Sequence, residues 1–240
     1  MITGAAAGFG EACARLFAEA GWRLIITGRR LERLQSLQAE LGGASQVCIS
    51  CFDISDRQAT EQAFAELPEE FQQIDVLVNN AGLALGLEPA YATDPEDWER
   101  MVDTNIKGLM RCSRLVLPGM QSRDRGYIIN IGSVAGNWPY PGGNVYCASK
   151  AFVRQFSLAL RADLLGTQIR VTNIEPGNAE TEFSIVRFKA DEQRAEKVYQ
   201  NTVALTAQDI ADTIWWLVNT PAHMNVTTME IMPTKQAKGP

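Results

Sequence analysis

The sequence predicts one α/β domain built on a doubly wound parallel sheet with helices on both faces. Three observations carry this. Short apolar runs rich in Val and Ile alternate with helix-period stretches along the chain. A glycine-rich segment, TGAAAGFG, stands at the head of the first helical stretch. Polar, reactive residue types then cluster just after each apolar run, at the carboxyl edge where such sheets hold their ligands. A length of 240 residues suits a single domain, with a nucleotide-binding half to about residue 130 and a catalytic half from about 131 to 240. No repeat, low-complexity tract or linker interrupts it.

The strands are the clearest elements. WRLIIT, QVCISCF, IDVLVN, YIINIG and IRVTNI are short and almost continuously apolar, which suits strands buried on both faces of a parallel sheet. Between them, residues 8–20, 31–41, 56–67, 95–112, 144–165 and 207–218 carry the amphipathic pattern of helices. Right-handed crossovers between such strands give a Rossmann-type sheet. GRR, DIS, NAG, SVAGNW and EPGNAETEF follow the successive runs and should converge on one edge. Only Met1 and Ile2 precede the glycine loop. A central parallel strand has about 5–6 residues, and burying about four more apolar side chains would contribute roughly 6–12 kcal/mol. That rivals the ~5–15 kcal/mol stability of a whole domain. The expectation is therefore a natural protein that starts several residues upstream of Met1, with the first strand truncated here.

Composition narrows the class of partner. A formal charge of −6 leaves no basic excess for nucleic-acid phosphates. No apolar run is long enough to span a bilayer and no segment reads as a signal peptide, so no membrane partner and a cytoplasmic location are expected. Cys48 and Cys51 form a lone C-x-x-C within a strand-like run, and His223 is the single histidine. They read as ordinary core cysteines, and no metal is expected.

In TGAAAGFG, the glycines at 4, 8 and 10 allow a tight turn and close approach of backbone to a pyrophosphate. Alone, such a loop is equally a simple turn; the helix and strand spacing that follow give it weight. After the next strand, ITGRR holds no carboxylate for a ribose 2′-hydroxyl. Arg29 and Arg30 instead offer guanidinium forks for a 2′-phosphate, against the alternative of a solvated pair. This favours NADP(H) as the cofactor. Asp53 suits either the adenine amino group or the N-cap of the following helix. Ala81 and Gly82, after Asn79 and Asn80, leave room for the adenine ribose.

YCASK places Tyr146 and Lys150 four residues apart, on one face of a helix. A phenol has a pKa of about 10, and a neighbouring ammonium would lower it toward neutral and fit it for proton transfer. As an isolated pair these residues read better as a packed tyrosine beside a solvated lysine. Their company changes that. Ser133 follows the strand YIINIG and so stands at the carboxyl edge, able to hydrogen-bond a substrate oxygen. Asn105 sits mid-helix, where asparagine is a poor choice, as a side chain placed to hold a water.

Taken together, TGAAAGFG, NNAG, Asn105, Ser133, YCASK and Pro176-Gly177 resemble the short-chain dehydrogenase/reductase family across essentially the whole chain. The resemblance implies Tyr146 as general acid/base and Lys150 as its pKa-lowering charge and ribose ligand. It implies Ser133 as substrate orienter and Asn105 as holder of a relay water. It also implies a cofactor surface made of Thr3, Gly4, Ala6, Gly8, Phe9, Gly10, Arg29, Arg30, Asp53, Ile54, Asn80, Ala81, Gly82, Tyr146, Lys150, Pro176, Gly177 and Thr181. GLALGLEPA, GNVYCASKAFVRQFSL, IEPG, TEFSIVRFK and YQNTVALT further resemble the NADP-dependent 3-hydroxy acid dehydrogenases within that family. That subgroup acts on L-serine, L-allo-threonine and related acids, reduces malonic semialdehyde-type compounds, and is typically a homotetramer.

One departure stands out. After Gly177 the chain reads NAETEF, one residue shorter than the family pattern, and it places Glu180 where a loop meets the nicotinamide. An acid there is expected to weaken cofactor binding or reshape the lid, while Thr181 still offers a hydroxyl. Beyond it, SIVRFKADE reads as a helical lid, with Arg187 meeting a substrate carboxylate or standing as a solvated charge beside Lys189. A reductase of another carbonyl (an acyl thioester ketone or a xenobiotic) and a non-catalytic NADP-binding protein stay open as alternatives.

Overall fold

The computed structural model describes residues 1–43, 46–197 and 203–237. Six parallel strands are β1 (Leu24–Gly28), β2 (Val47–Cys51), β3 (Val76–Asn79), β4 (Gly126–Ile131), β5 (Ile169–Pro176) and β6 (Thr228–Ile231). β1 pairs with β2, and β3 through β6 pair in sequence order. Ile2 joins the two groups, bridging in parallel to Ile26 on one side and Val78 on the other. The order β2-β1-Ile2-β3-β4-β5-β6 is that of a doubly wound dinucleotide fold. Ile2 N donates to Ile25 O at 2.8 Å and Ile2 O accepts from Thr27 N at 3.0 Å, while Thr3 N donates to Val78 O at 3.0 Å.

Successive strand residues face opposite layers, and both layers are apolar. Ile26, Val78 and Ile129 pack with helices α1 (Gly8–Glu19) and α9 (Ala207–Val218), through Phe17, Ile210 and Ile214. Their neighbours Ile25, Leu77 and Ile128 pack on the other face with Val116 and Met120 of α5 (Leu109–Ser122). Each such side chain contributes about 1.5–3 kcal/mol on burial. The adjacent tryptophans divide as their spacing dictates. Trp215 meets the Phe17 ring edge-on at 5.2 Å, whereas Trp216 is exposed.

Three expectations are corrected. β2 is not buried on both faces, because it is the sheet edge; only Val47 is fully buried and Cys51 is exposed. Cys51 is therefore not a core residue, whereas Cys48 is half-buried and packs against the core. The helix expected over residues 95–112 runs on to Ser122 and is not uniform: α4 (Pro95–Val102) passes through a π-helical turn (Asp103–Gly108) into α5. The extra residue of a π turn rotates side chains out of helical register, and here it turns Asn105 inward.

The remaining helices are α2 (Leu31–Glu40), α3 (Arg57–Ala65), α6 (Asn144–Asp163), and the short α7 (Phe183–Arg187) and α8 (Glu192–Lys197). β6 is short and mixed in polarity and carries no sequence signal, and the single helical lid expected over SIVRFKADE is instead α7 followed, after a turn, by α8. The first four residues of YQNTVALT, 199–202, lie outside the described residues. No helix among the described residues is long and apolar enough to cross a membrane.

Candidate active site

A cleft of about 920 Å³ runs along the carboxyl edge of the sheet, from the glycine loop to α7. Gly4 and Gly8 lie at φ +68° and +54°, in the left-handed region that favours glycine. At Gly10 a Cβ would fall 2.4 Å from Gly4 O and 2.6 Å from Asn80 Nδ2, so no larger residue fits. α1 begins here with no side-chain cap, leaving its first backbone N–H groups to the cleft.

Most of the expected cofactor residues line this cleft, including Ala6, Phe9, Ile54, Ala81, Gly82, Pro176, Gly177 and Thr181. Thr3 and Gly10 do not. Thr3 is wholly buried, its Oγ1 accepting from Asn80 N and Ala81 N at 3.0 Å each. Asn80 Nδ2 in turn donates to Thr3 O at 2.9 Å and Gly4 O at 3.1 Å. These residues staple the glycine loop to the segment after β3 from behind.

At the far end, Arg29 pairs with Asp53 at 3.4 Å. Asp53 also accepts from Ser55 N and Oγ; burial raises its pKa, but Ser55 and Arg29 bring it below its usual value. It is not an N-cap, since Asp56 takes that role by accepting from Ala59 N at 2.9 Å. Arg30 and Arg33 both reach the carboxylate of Glu182, each at 2.9 Å. Arg30 donates as well to Ala6 O at 3.1 Å. Burial acts to raise the Glu182 carboxyl, yet the two arginines hold it below its usual range.

The residues expected to be catalytic meet at the other end. Ser133 caps the 3-10 turn Val134–Gly136, accepting from Ala135 N at 3.1 Å, and its hydroxyl acts to lower the Tyr146 pKa. α6 buries Tyr146 and Lys150 one turn apart. Lys150 Nζ donates to Ile131 O at 2.8 Å and stands 5.8 Å from the Tyr146 ring centroid. Burial lowers the Lys150 ammonium to about 8.

Burial raises Tyr146 above its ordinary value, and the groups opposing that rise are Arg187 and then Ser133. The Lys150 ammonium donates to a backbone carbonyl, and the Arg187 guanidinium lies 5.1 Å from the Tyr146 ring centroid. Asn105 differs from expectation. Its Nδ2 donates to Leu83 O at 2.8 Å and Ser149 Oγ at 3.1 Å, and its Oδ1 accepts from Leu83 N at 2.8 Å. Its amide thus fixes the segment after β3 before it serves any water.

The shortened loop is well tied. Asn178 N donates to Gln236 Oε1 at 2.7 Å, and Glu180 N donates to Leu205 O at 2.9 Å. Glu180 is exposed and does not line the cleft, so its charge is not presented to a ligand there. Lys189 is drawn out of the lid's substrate face by a 2.8 Å ion pair with the buried Asp97. Arg187 lies inside, its Nη2 donating to Tyr140 Oη at 2.6 Å.

A sequence profile of the short chain dehydrogenases matches residues 1–193. The chain belongs to the short chain dehydrogenase family. Over 238 residues it is 59% identical to the NADP-dependent 3-hydroxy acid dehydrogenase YdfG of Salmonella typhi, covering 99% of this chain and 95% of that protein. It is 51% identical over 238 residues to sulfoacetaldehyde reductase 2 of Chromohalobacter salexigens, covering 99% of this chain and 94% of that one. Its backbone matches the closed form of a serine dehydrogenase complexed with NADP+ at TM-score 0.96 and 58% identity, covering 98% and 95% of the two chains. In this short chain dehydrogenase, Arg33, Tyr140, Glu182 and Gln236 belong to the site or its margin although sequence reasoning passed over them. Arg33 lies one helical turn beyond the noted arginine pair, which is the one signal that could have found it.

Proposed function

We propose that this enzyme moves a hydride between NADP(H) and a small 3-hydroxy acid or its carbonyl form. The observation that carries the reading is Arg187, whose buried Nε has no hydrogen-bond partner and whose guanidinium has no carboxylate partner among the described residues. A partly buried cation with no charge partner is costly, and a substrate anion would compensate it. Its position beside Tyr146 puts that anion next to the reacting carbon. The named relatives fit: one acts on 3-hydroxy acids, and another reduces an aldehyde that carries a sulfonate.

The cleft residues also fit the dinucleotide. Gly4 and Gly8 line the cleft in left-handed conformations beside the uncapped start of α1, which suits a pyrophosphate, and Arg29 and Arg30 suit a 2′-phosphate. When bound, NADP(H) supplies or takes up the hydride. Tyr146 accepts the hydroxyl proton on oxidation and returns it on reduction. Ser133 holds the same substrate oxygen, and Lys150, fixed by Ile131 O, faces the cofactor ribose. Offered L-serine, 3-hydroxypropionate and a neutral alcohol, the enzyme is expected to turn over the acids with NADP+ when followed at the nicotinamide absorbance. A preference for NAD+, or for the neutral alcohol, would overturn the reading.

Arg187→Ala is expected to raise KM for the acids by about 10–100-fold, the effect of losing a charge-assisted pair, and to change KM for a neutral alcohol far less. It should also move the pH dependence of kcat. Without Arg187, burial of Tyr146 is less opposed and its pKa rises further. Oxidation needs the deprotonated phenol, so its rate should rise at higher pH than in the wild type. Equal KM effects on acid and alcohol would exclude the carboxylate role.

A further inference from the structure

Tyr140 stands on the segment that leads from the Ser133 turn to α6. Its place is tightly fixed. Tyr140 O accepts from Gly143 N at 3.0 Å, and a Cβ on Gly143 would fall 2.8 Å from the Tyr140 ring and 2.5 Å from Cys147 Sγ. The ring is thus wedged against the first turn of α6, the turn that carries Tyr146. Its hydroxyl accepts from Arg187 Nη2 at 2.6 Å. Among the described residues no acceptor takes the proton of that hydroxyl. Burial raises its pKa, so the proton is retained. The same cleft wall therefore presents a guanidinium and a neutral O–H donor side by side, next to Tyr146 and Ser133.

Two adjacent donors suit the two oxygens of one anionic group better than a single cation does. We propose that Tyr140 is a specificity-determining residue: its hydroxyl donates to one oxygen of the substrate's anionic group while Arg187 binds another. The pair selects substrates whose anion is separated by one carbon from the carbon that exchanges hydride. This rests on the hydroxy-acid reading above. It accounts for a carboxylate and a sulfonate equally, since both present two or more oxygens at that spacing.

The test compares 3-hydroxypropionate with its methyl ester at saturating NADP+, in wild type, Tyr140→Phe, Arg187→Ala and the double variant. Tyr140→Phe keeps the wedged ring and removes only the donor. It is expected to raise KM for the acid about tenfold with kcat within about twofold, and to lower the acid-to-ester ratio of kcat/KM about tenfold. Direct contact further requires that Tyr140→Phe still raise KM for the acid in the Arg187→Ala background. An equal fall for acid and ester, or no further effect in that background, would show that Tyr140 acts only through packing or through Arg187 and would overturn the proposal. Wild-type enzyme that does not turn over the acid would overturn the functional reading and this inference together. Wild-type turnover with an unaltered Tyr140→Phe would overturn this inference alone.

Discussion

Tyr146→Phe is expected to lower kcat by about 10²–10⁴-fold, the usual reach of general acid–base catalysis, and to leave the Kd for NADPH within about threefold. The two effects separate because the ring and the hydroxyl have different tasks. The ring packs against Phe183 with centroids 5.7 Å apart, and phenylalanine keeps that contact. The hydroxyl is the part expected to exchange the proton. NADPH fluorescence titration and steady-state rates on one preparation check both halves. A variant that retains wild-type kcat would remove Tyr146 from the chemistry.

The second large effect concerns the cofactor. Arg29→Ala combined with Arg30→Ala is expected to raise KM for NADP+ by about 10²-fold, from two charge-assisted contacts of about 1.5–3 kcal/mol each, partly screened. KM for NAD+ should change little. Glu182 makes the outcome informative. In the wild type its carboxylate is shared by Arg30 and Arg33; in the variant Arg33 keeps its partner, so the lid contact is weakened rather than abolished. Equal losses for NADP+ and NAD+ would mean that the arginines hold the lid and not the phosphate.

Much of this was legible in the sequence because its determinants are local. Continuous apolar runs gave the inner strands, and a turn of helix placed Tyr146 and Lys150 on one face. The edge strand misled, since its apolar run says nothing about which side lacks a neighbour. Asn105 was noticed as an oddity, but the π turn that aims it has no sequence signature of its own. Tyr140 and Glu182 were missed for another reason. Each acquires its partner from a distant segment, Arg187 for one and Arg30 with Arg33 for the other. Long-range pairing between charged or polar side chains leaves no periodicity to read.

Helix α7 ties these observations together. Glu182 caps its beginning and Arg187 is its last residue. At 1.5 Å per residue it is a rod only about 7.5 Å long, moored at one end on cofactor-side arginines and at the other beside the catalytic tyrosine. A displacement at either mooring is therefore expected to be felt at the other. Whatever free energy the phosphate end of the cleft lends to ordering this rod, the substrate end must lend back in equal measure, because linkage between two ligands is reciprocal. On the function proposed above, discrimination between cofactors and discrimination between substrates are expected to be two readings of one lever.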